Sequence, residues 1–228
     1  MNEIRSRSGN GIVISCRQWV KKMEIKKQLL TTAIDLFKKE GYQNVTVQSI
    51  CDACHVTKGS FYYHYPHKES LLMDYYHIVS DGEMTEVLAE MFRIPDSFDK
   101  LWRLFRFYID SSVRMGADLL KNLLKMNLDN DGIIYPTYRD EIQKVEPDFF
   151  KIYHTIASEG QENGCIQKGD TDQMLTLYMS IFVGALSGWS AAGGYTDVEN
   201  VLFQAFTLIY KPGWHLDRSD TAQQHAPV

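Results

Sequence analysis

Cysteine is scarce in this chain. Four residues in 228, at Cys16, Cys51, Cys54 and Cys165, lie scattered along it. So few thiols exclude a dense disulfide framework and fit free cysteines in a reducing compartment. Long apolar runs are missing too: none reaches the roughly 18 residues needed to span a bilayer. The early stretch GIVISCRQWV is short and broken by Arg17 and Gln18, unlike a secretory signal. The chain reads as cytoplasmic. It has no G-x-S-x-G, no H-E-x-x-H, no phosphate-binding glycine loop and no dinucleotide fingerprint, so no enzyme activity, catalytic residue, cofactor or metal is expected. Nothing in it alternates as a strand does.

What is present is helical periodicity and a divided charge. Apolar residues make up 44% and aromatics 12%, enough for a sizeable core. The net charge of −5 hides a split: residues 1–70 carry eleven Lys and Arg against six Asp and Glu, whereas residues 71–228 carry thirteen against twenty-three. A basic head on an acidic body points to a polyanion met by the head alone.

The pattern divides the chain into a flexible leader (1–22), a first domain (23–70), a second domain (71–212) and a polar tail (213–228). In the first domain, Ile25, Leu29, Ala33, Ile34 and Phe37 mark a helix from Glu24 to Glu40, stopped by Gly41. Thr46 caps a short helix from Val47 to about Cys54, and Thr57 caps a third, ended by Pro66. Longer helices follow over about 67–92, with Leu71, Leu72, Tyr75, Ile78 and Val79 inward, then 98–115, 117–128 and 147–162. Two more are expected over 170–192 and 197–210, the last with Thr196-x-x-Glu199 as a capping box.

The segment CDACHVTKGSFYYHYPHKESLL, residues 51–72, opens on C-x-x-C-H. Haem attachment would need export. Zinc would need four ligands, and Cys51, Cys54, His55 and His64 do not converge while the short helices stand. Buried packing is the favoured reading for the two thiols, with a redox pair, at i and i+3 on one face, as the alternative. Two short helices joined by a tight turn, with a third across them, make a helix-turn-helix whose second member enters the DNA major groove. Thr57, Lys58, Ser60, Tyr62, Tyr63 and His64 are hydrogen-bonders suited to that helix, and Gly59 permits close approach to phosphate. Thr46 and Lys68 are expected on the DNA backbone.

These residues resemble the DNA-binding region of the TetR family of bacterial transcriptional regulators. The family pattern is roughly T-x-x-x-I-A-x-x-A-G-V-S-x-G-x-[FL]-Y-x-[HY]-[FY]-x-x-K-[ED]-x-L. Thr46, Ile50, Val56, Gly59, Phe61, Tyr62, His64, Tyr65, Lys68, Glu69 and Leu71 fit it in register; Thr57 stands for Ser, and Ala53 falls near its place. The likeness covers about residues 24–72. Cys51 and Cys54 stand where the family usually has alanine, and His55 where it often has a turn glycine, a place that favours positive φ.

The resemblance implies an all-α fold: an N-terminal three-helix helix-turn-helix DNA-binding domain and a C-terminal helical ligand-binding and dimerisation domain. It implies a homodimer on palindromic double-stranded operator DNA, repression by default, and release by a small-molecule effector. The last two helices look too apolar for a solvated face. Met174, Leu177, Ile181, Ala185, Gly188 and Trp189 on one, with Val201, Leu202, Ala205 and Phe206 on the other, are candidates for the dimer interface, against plain monomer core. Trp102, Phe105, Tyr108, Met115, Met126, Phe149, Tyr153 and Tyr178 are candidates for lining an apolar or aromatic effector pocket, again against plain core. Arg103, Arg106 and Arg114 either meet an anionic group or are solvated. A sequence-tolerant DNA-binding protein without a sensing function is the alternative reading.

Overall fold

A computed structural model describes residues 16–129 and 147–213 of the chain. Among them are nine α-helices and no strand: α1 (Cys16–Glu40), α2 (Val47–Cys54), α3 (Lys58–His64), α4 (Glu69–Met91), α5 (Ser97–Met115), α6 (Ala117–Asp129), α7 (Pro147–Asn163), α8 (Thr171–Ala191) and α9 (Val198–Tyr210), with a 3-10 turn at Tyr42–Asn44. They form two compact units that divide between Ile78 and Val79, inside α4.

In the first unit, α1 buries Leu29, Leu30, Ala33, Ile34 and Phe37, the stripe its spacing dictates. The helix begins at Cys16, so the leader expected over 1–22 is helical from there on; residues 1–15 lie outside the described part. Gly41 closes α1 at φ 83°, with its N–H on the Phe37 carbonyl at 2.9 Å. Against α1 pack Ile50, Cys51 and Cys54 of α2, Phe61 of α3, then Tyr65, Leu71 and Leu72, all buried. The inward stripe at the start of α4 runs through Leu72 and Tyr76, one helical turn apart. Tyr75 is only half-buried, and Ile78, expected inward, is exposed.

The second unit has an aromatic core. α5 and α7 run antiparallel: Asn163 donates to the Ser97 hydroxyl at one end, and Tyr108 meets Phe149 edge-on at 5.3 Å nearer the other. Phe98 of α5 packs on Phe206 of α9 at 4.7 Å, and Tyr178 of α8 meets Phe105 at 4.2 Å. Asp96 caps α5 through the N–H groups of Phe98 and Asp99, and Asp170 caps α8 likewise. α9 is capped by Asp197, whose carboxylate accepts from Asn200 N–H at 3.0 Å. The cap therefore sits one residue past the expected Thr196, because a carboxylate at 197 reaches the free amides better. After α7 the chain turns back so closely that a Cβ added at Gly160 would stand 2.5 Å from Ile166. α8 is long and apolar enough to cross a bilayer by length and composition, yet only 39% of the qualifying window is buried inside the unit. Thr176, Ser180 and Ser187 interrupt its apolar residues, which is why no unbroken run appears in the sequence.

Candidate nucleic-acid interface

The site is built from α2, the turn after it, and α3. Thr46 and Ser49 cap α2 reciprocally. The Thr46 hydroxyl accepts from Ser49 N–H at 3.1 Å, and the Ser49 hydroxyl accepts from Thr46 N–H at 3.0 Å. The turn pivots on His55, the one described non-glycine residue at positive φ, at φ 54° and ψ 40°. This is the left-handed conformation its place after α2 requires. Val56 N–H then closes onto the Cys51 carbonyl at 3.0 Å. Beneath the turn, Cys51 and Cys54 are both buried, and burial, as the leading cause, pushes the Cys51 thiol up, against nucleophilic chemistry.

α3 starts from Thr57, whose hydroxyl accepts from Ser60 N–H at 3.2 Å. Its aromatic residues then divide. Phe61 is sealed in the core, and Tyr65 just beyond the helix is buried with its hydroxyl on Asp74 at 3.2 Å. Tyr62 and Tyr63 are 53% and 62% exposed. Thr57, Lys58 and Gly59 are exposed too, while Ser60 and His64 are half-buried. Lys22 reaches over the Tyr63 ring at 4.5 Å. Burial, then the charges of Lys22 and Lys26, hold the His64 imidazole below its ordinary range. The exposed face thus offers one ammonium, two phenols, small residues and a histidine biased to the neutral form, on a helix short enough to lie along a groove about 12 Å wide.

Lys68 plays a different part from the one expected. Its ammonium donates to the Tyr42 and Val45 carbonyls, both at 2.9 Å, and stands 4.0 Å from the centre of the Tyr42 ring. Two of its three donors are spent inside the unit, holding the 3-10 turn that leads into the Thr46 cap. It positions the site from below. The residues the sequence reading passed over are Lys22 and Lys26, which charge the surroundings of His64 from α1. Their only signal was the basic run in the first helix.

In the second unit, Phe105, Phe149, Tyr153 and Tyr178 come together in the aromatic core, with Tyr108 half-buried at its edge. Trp102 is not with them: it packs on Phe203 at 4.8 Å and on Phe206 at 5.3 Å, where it lines an open groove with Asp197 and Asn200. Met115 is buried at the end of α5, and Met126 is half-buried on α6. A cavity of about 330 Å³ lies elsewhere, lined by Leu88, Met91, Phe92, Ile152 and Ile156 between Lys100 and Lys151. The arginines are engaged: Arg103 pairs with Glu90 at 2.7 Å, Arg106 with Glu199 at 2.9 Å, and Arg114 donates to Ser111. The candidate interface residues also divide. Met174, Trp189, Leu202, Ala205 and Phe206 are buried in the unit's own core. Leu177, Ile181, Gly188 and Val201 face outward, and Ala185 is half-buried.

The model for the family described as bacterial regulatory proteins, tetR family, matches residues 29–74, the whole of α2 and α3 with the second half of α1 and the start of α4. Over these residues the chain matches the TetR family. The similarity to known TetR-type regulators is strongest in the head. The HTH-type transcriptional regulator YuxN of Bacillus subtilis is 37% identical over 65 residues, 28% of this chain and 22% of its own length. The HTH-type transcriptional regulator QacR of Staphylococcus aureus is 25% identical over 144 residues, covering 62% of this chain and 73% of the relative. Among solved TetR-family structures, the repressor FadR of Thermus thermophilus superposes with a TM-score of 0.62 at 23% identity, over 81% of this chain and 92% of that one.

Proposed function

We propose that the chain is a ligand-responsive transcriptional repressor that binds a palindromic operator as a homodimer and lets go when a small apolar or aromatic effector occupies its second unit. One observation carries the DNA-binding part. α3 is anchored by Phe61 and Tyr65 and turns Lys58, Tyr62 and Tyr63 outward from a capped helix-turn-helix. Phenol tips and an ammonium read base edges and phosphates, while the fixed helix sets the register.

The dimer part is supported by the uncovered outer face of α8 and α9. Leu177 is 58% exposed and Val201 50%, and with Ile181, Gly184 and Gly188 they make an apolar, small-residue strip that a second copy would cover. A two-fold dimer then matches a two-fold operator. The sensing part draws support from the aromatic core, and from the Thermus FadR structure, which is a complex with lauroyl-CoA. α4 runs from one unit into the other. An effector that favours one conformation of the second unit would act through it, moving the two α3 helices off the half-site spacing.

Selection of bound duplexes from a random library, followed by footprinting, tests this directly. The expected product is a two-fold symmetric sequence protected over two successive major grooves, with affinity falling steeply as salt rises. Recovery of duplexes with no shared motif would instead establish the sequence-tolerant reading.

A further inference from the structure

Buried hydroxyls are nearly always paired, and two of the three phenols in the second unit's core obey. Tyr210 donates to the Tyr153 hydroxyl at 3.2 Å, and Tyr153 donates to the Thr171 carbonyl at 2.7 Å. Tyr178 breaks the pattern. It is 0% exposed, yet its hydroxyl has no hydrogen-bond partner among the described residues. Its ring lies 4.2 Å from Phe105, 5.8 Å from Phe206, 6.1 Å from Tyr210 and 6.4 Å from Phe182, centre to centre. Burial alone pushes this phenol well above its ordinary range, with no charged neighbour contributing. It is therefore a neutral donor held in an apolar place, where phenylalanine would pack equally well and leave nothing unsatisfied.

The geometry points to Tyr178 as the polar anchor of the effector site, so that the effector is an uncharged, largely aromatic or apolar molecule with one oxygen that accepts a hydrogen bond from the Tyr178 hydroxyl. This rests on the sensing function proposed above and names the ligand class for it. A plain hydrocarbon would leave the hydroxyl as orphaned as before. An ionic ligand would bring a charge to a place with no countercharge. The ring is fully enclosed, so occupancy requires its aromatic neighbours to part. That gives the ligand its differential affinity for a second conformation, which a sensor requires.

The test uses the full DNA-free chain and two probes of one shape, 2-naphthol and naphthalene, titrated calorimetrically into the wild type and Tyr178→Phe. The expected result is a preference of about tenfold for 2-naphthol in the wild type, falling to within about twofold in the variant. The variant should also melt at or above the wild-type temperature, since it loses only an unpartnered group. Equal preference in the two proteins, no preference in the wild type, or no binding of either probe overturns the assignment. So does a variant that melts several degrees lower, because the hydroxyl then has a partner in the free protein. Operator release by 2-naphthol is read separately, by anisotropy on the selected duplex. Tyr178-dependent binding without release would reject the sensing function and leave the anchor standing.

Discussion

The recognition helix of the first unit and the core of the second place their aromatic side chains differently. In the first, the aromatics in and just after α3 divide, Phe61 and Tyr65 inward, Tyr62 and Tyr63 outward. In the second, Phe105, Tyr153, Tyr178, Phe182, Phe206 and Tyr210 all turn inward. The small unit buries Phe37, Tyr42, Phe61, Tyr65 and Tyr76 and leaves Tyr62 and Tyr63 at the surface with their polar tips in solvent. The larger unit leaves Tyr195 exposed but encloses Tyr153, Tyr178 and Tyr210, and pairs the hydroxyls of Tyr153 and Tyr210. Under the proposed function, Tyr62 and Tyr63 answer to a polyanion and Tyr178 to a small molecule.

The sharpest way to break this contrast is a pair of truncations. Phe105→Ala should destabilise the second unit by about 3–5 kcal/mol, read from urea unfolding. Tyr62→Ala should stay within about 0.5 kcal/mol of wild type while weakening operator binding severely. Equal stability losses would show that the outward phenol is structural. A double change, Leu177→Asp with Ile181→Asp, should convert the proposed dimer to monomer in sedimentation without lowering helix content; an unchanged dimeric mass would place the contact elsewhere.

Two lysines sharpen the comparison within the head. Lys68→Ala removes the donor from the Tyr42 and Val45 carbonyls and should cost about 1–2 kcal/mol of stability. Its effect on DNA affinity should be uniform across sequences. Lys58→Ala should leave stability unchanged, shift base preference or reduce the salt slope by about one. The reverse pattern would exchange their roles. His55→Gly should stabilise the head by about 0.5–1 kcal/mol, since glycine takes the left-handed conformation without a Cβ clash; a loss would mean that the imidazole itself supports the turn.

The smallest effect is the pH dependence carried by His64. Its folded pKa lies below the ordinary 6.5 because burial and then Lys22 and Lys26 disfavour the proton. The unfolded chain therefore takes up that proton first. The contribution to stability is complete above about pH 6.5 and is lost as pH falls through the folded pKa. His64→Gln should flatten this part of the profile, and an unchanged slope would assign it to another group.

Much of the architecture was readable before any coordinates, because helix ends are local. Thr46, Thr57, Asp96 and Gly41 act within one turn of where they stand, and the helices after α1 begin and end within two residues of expectation. The exceptions are local competitions that depend on geometry: Asp197 over Thr196 as a cap, and α1 reaching back to Cys16. The outward face of α3 was legible too, since its polar residues have no use in a core. The role of Lys68 was not. Its side chain turns back to the carbonyls of Tyr42 and Val45, 26 and 23 positions earlier, and nothing in the neighbouring residues signals that reach.

By itself the sequence determined the helices, the basic head, and the turn whose C-x-x-C-H residues are two small core thiols and a left-handed histidine. Tertiary structure alone decided which side of α8 is buried. That helix is apolar nearly all round, so periodicity cannot choose a face, and only the packing of α6, α7 and α9, with Phe105 of α5, sends Tyr178 inward and leaves Leu177 outside. It also decided that the Tyr178 hydroxyl stands unpaired, because a hydrogen bond depends on where the other atoms lie.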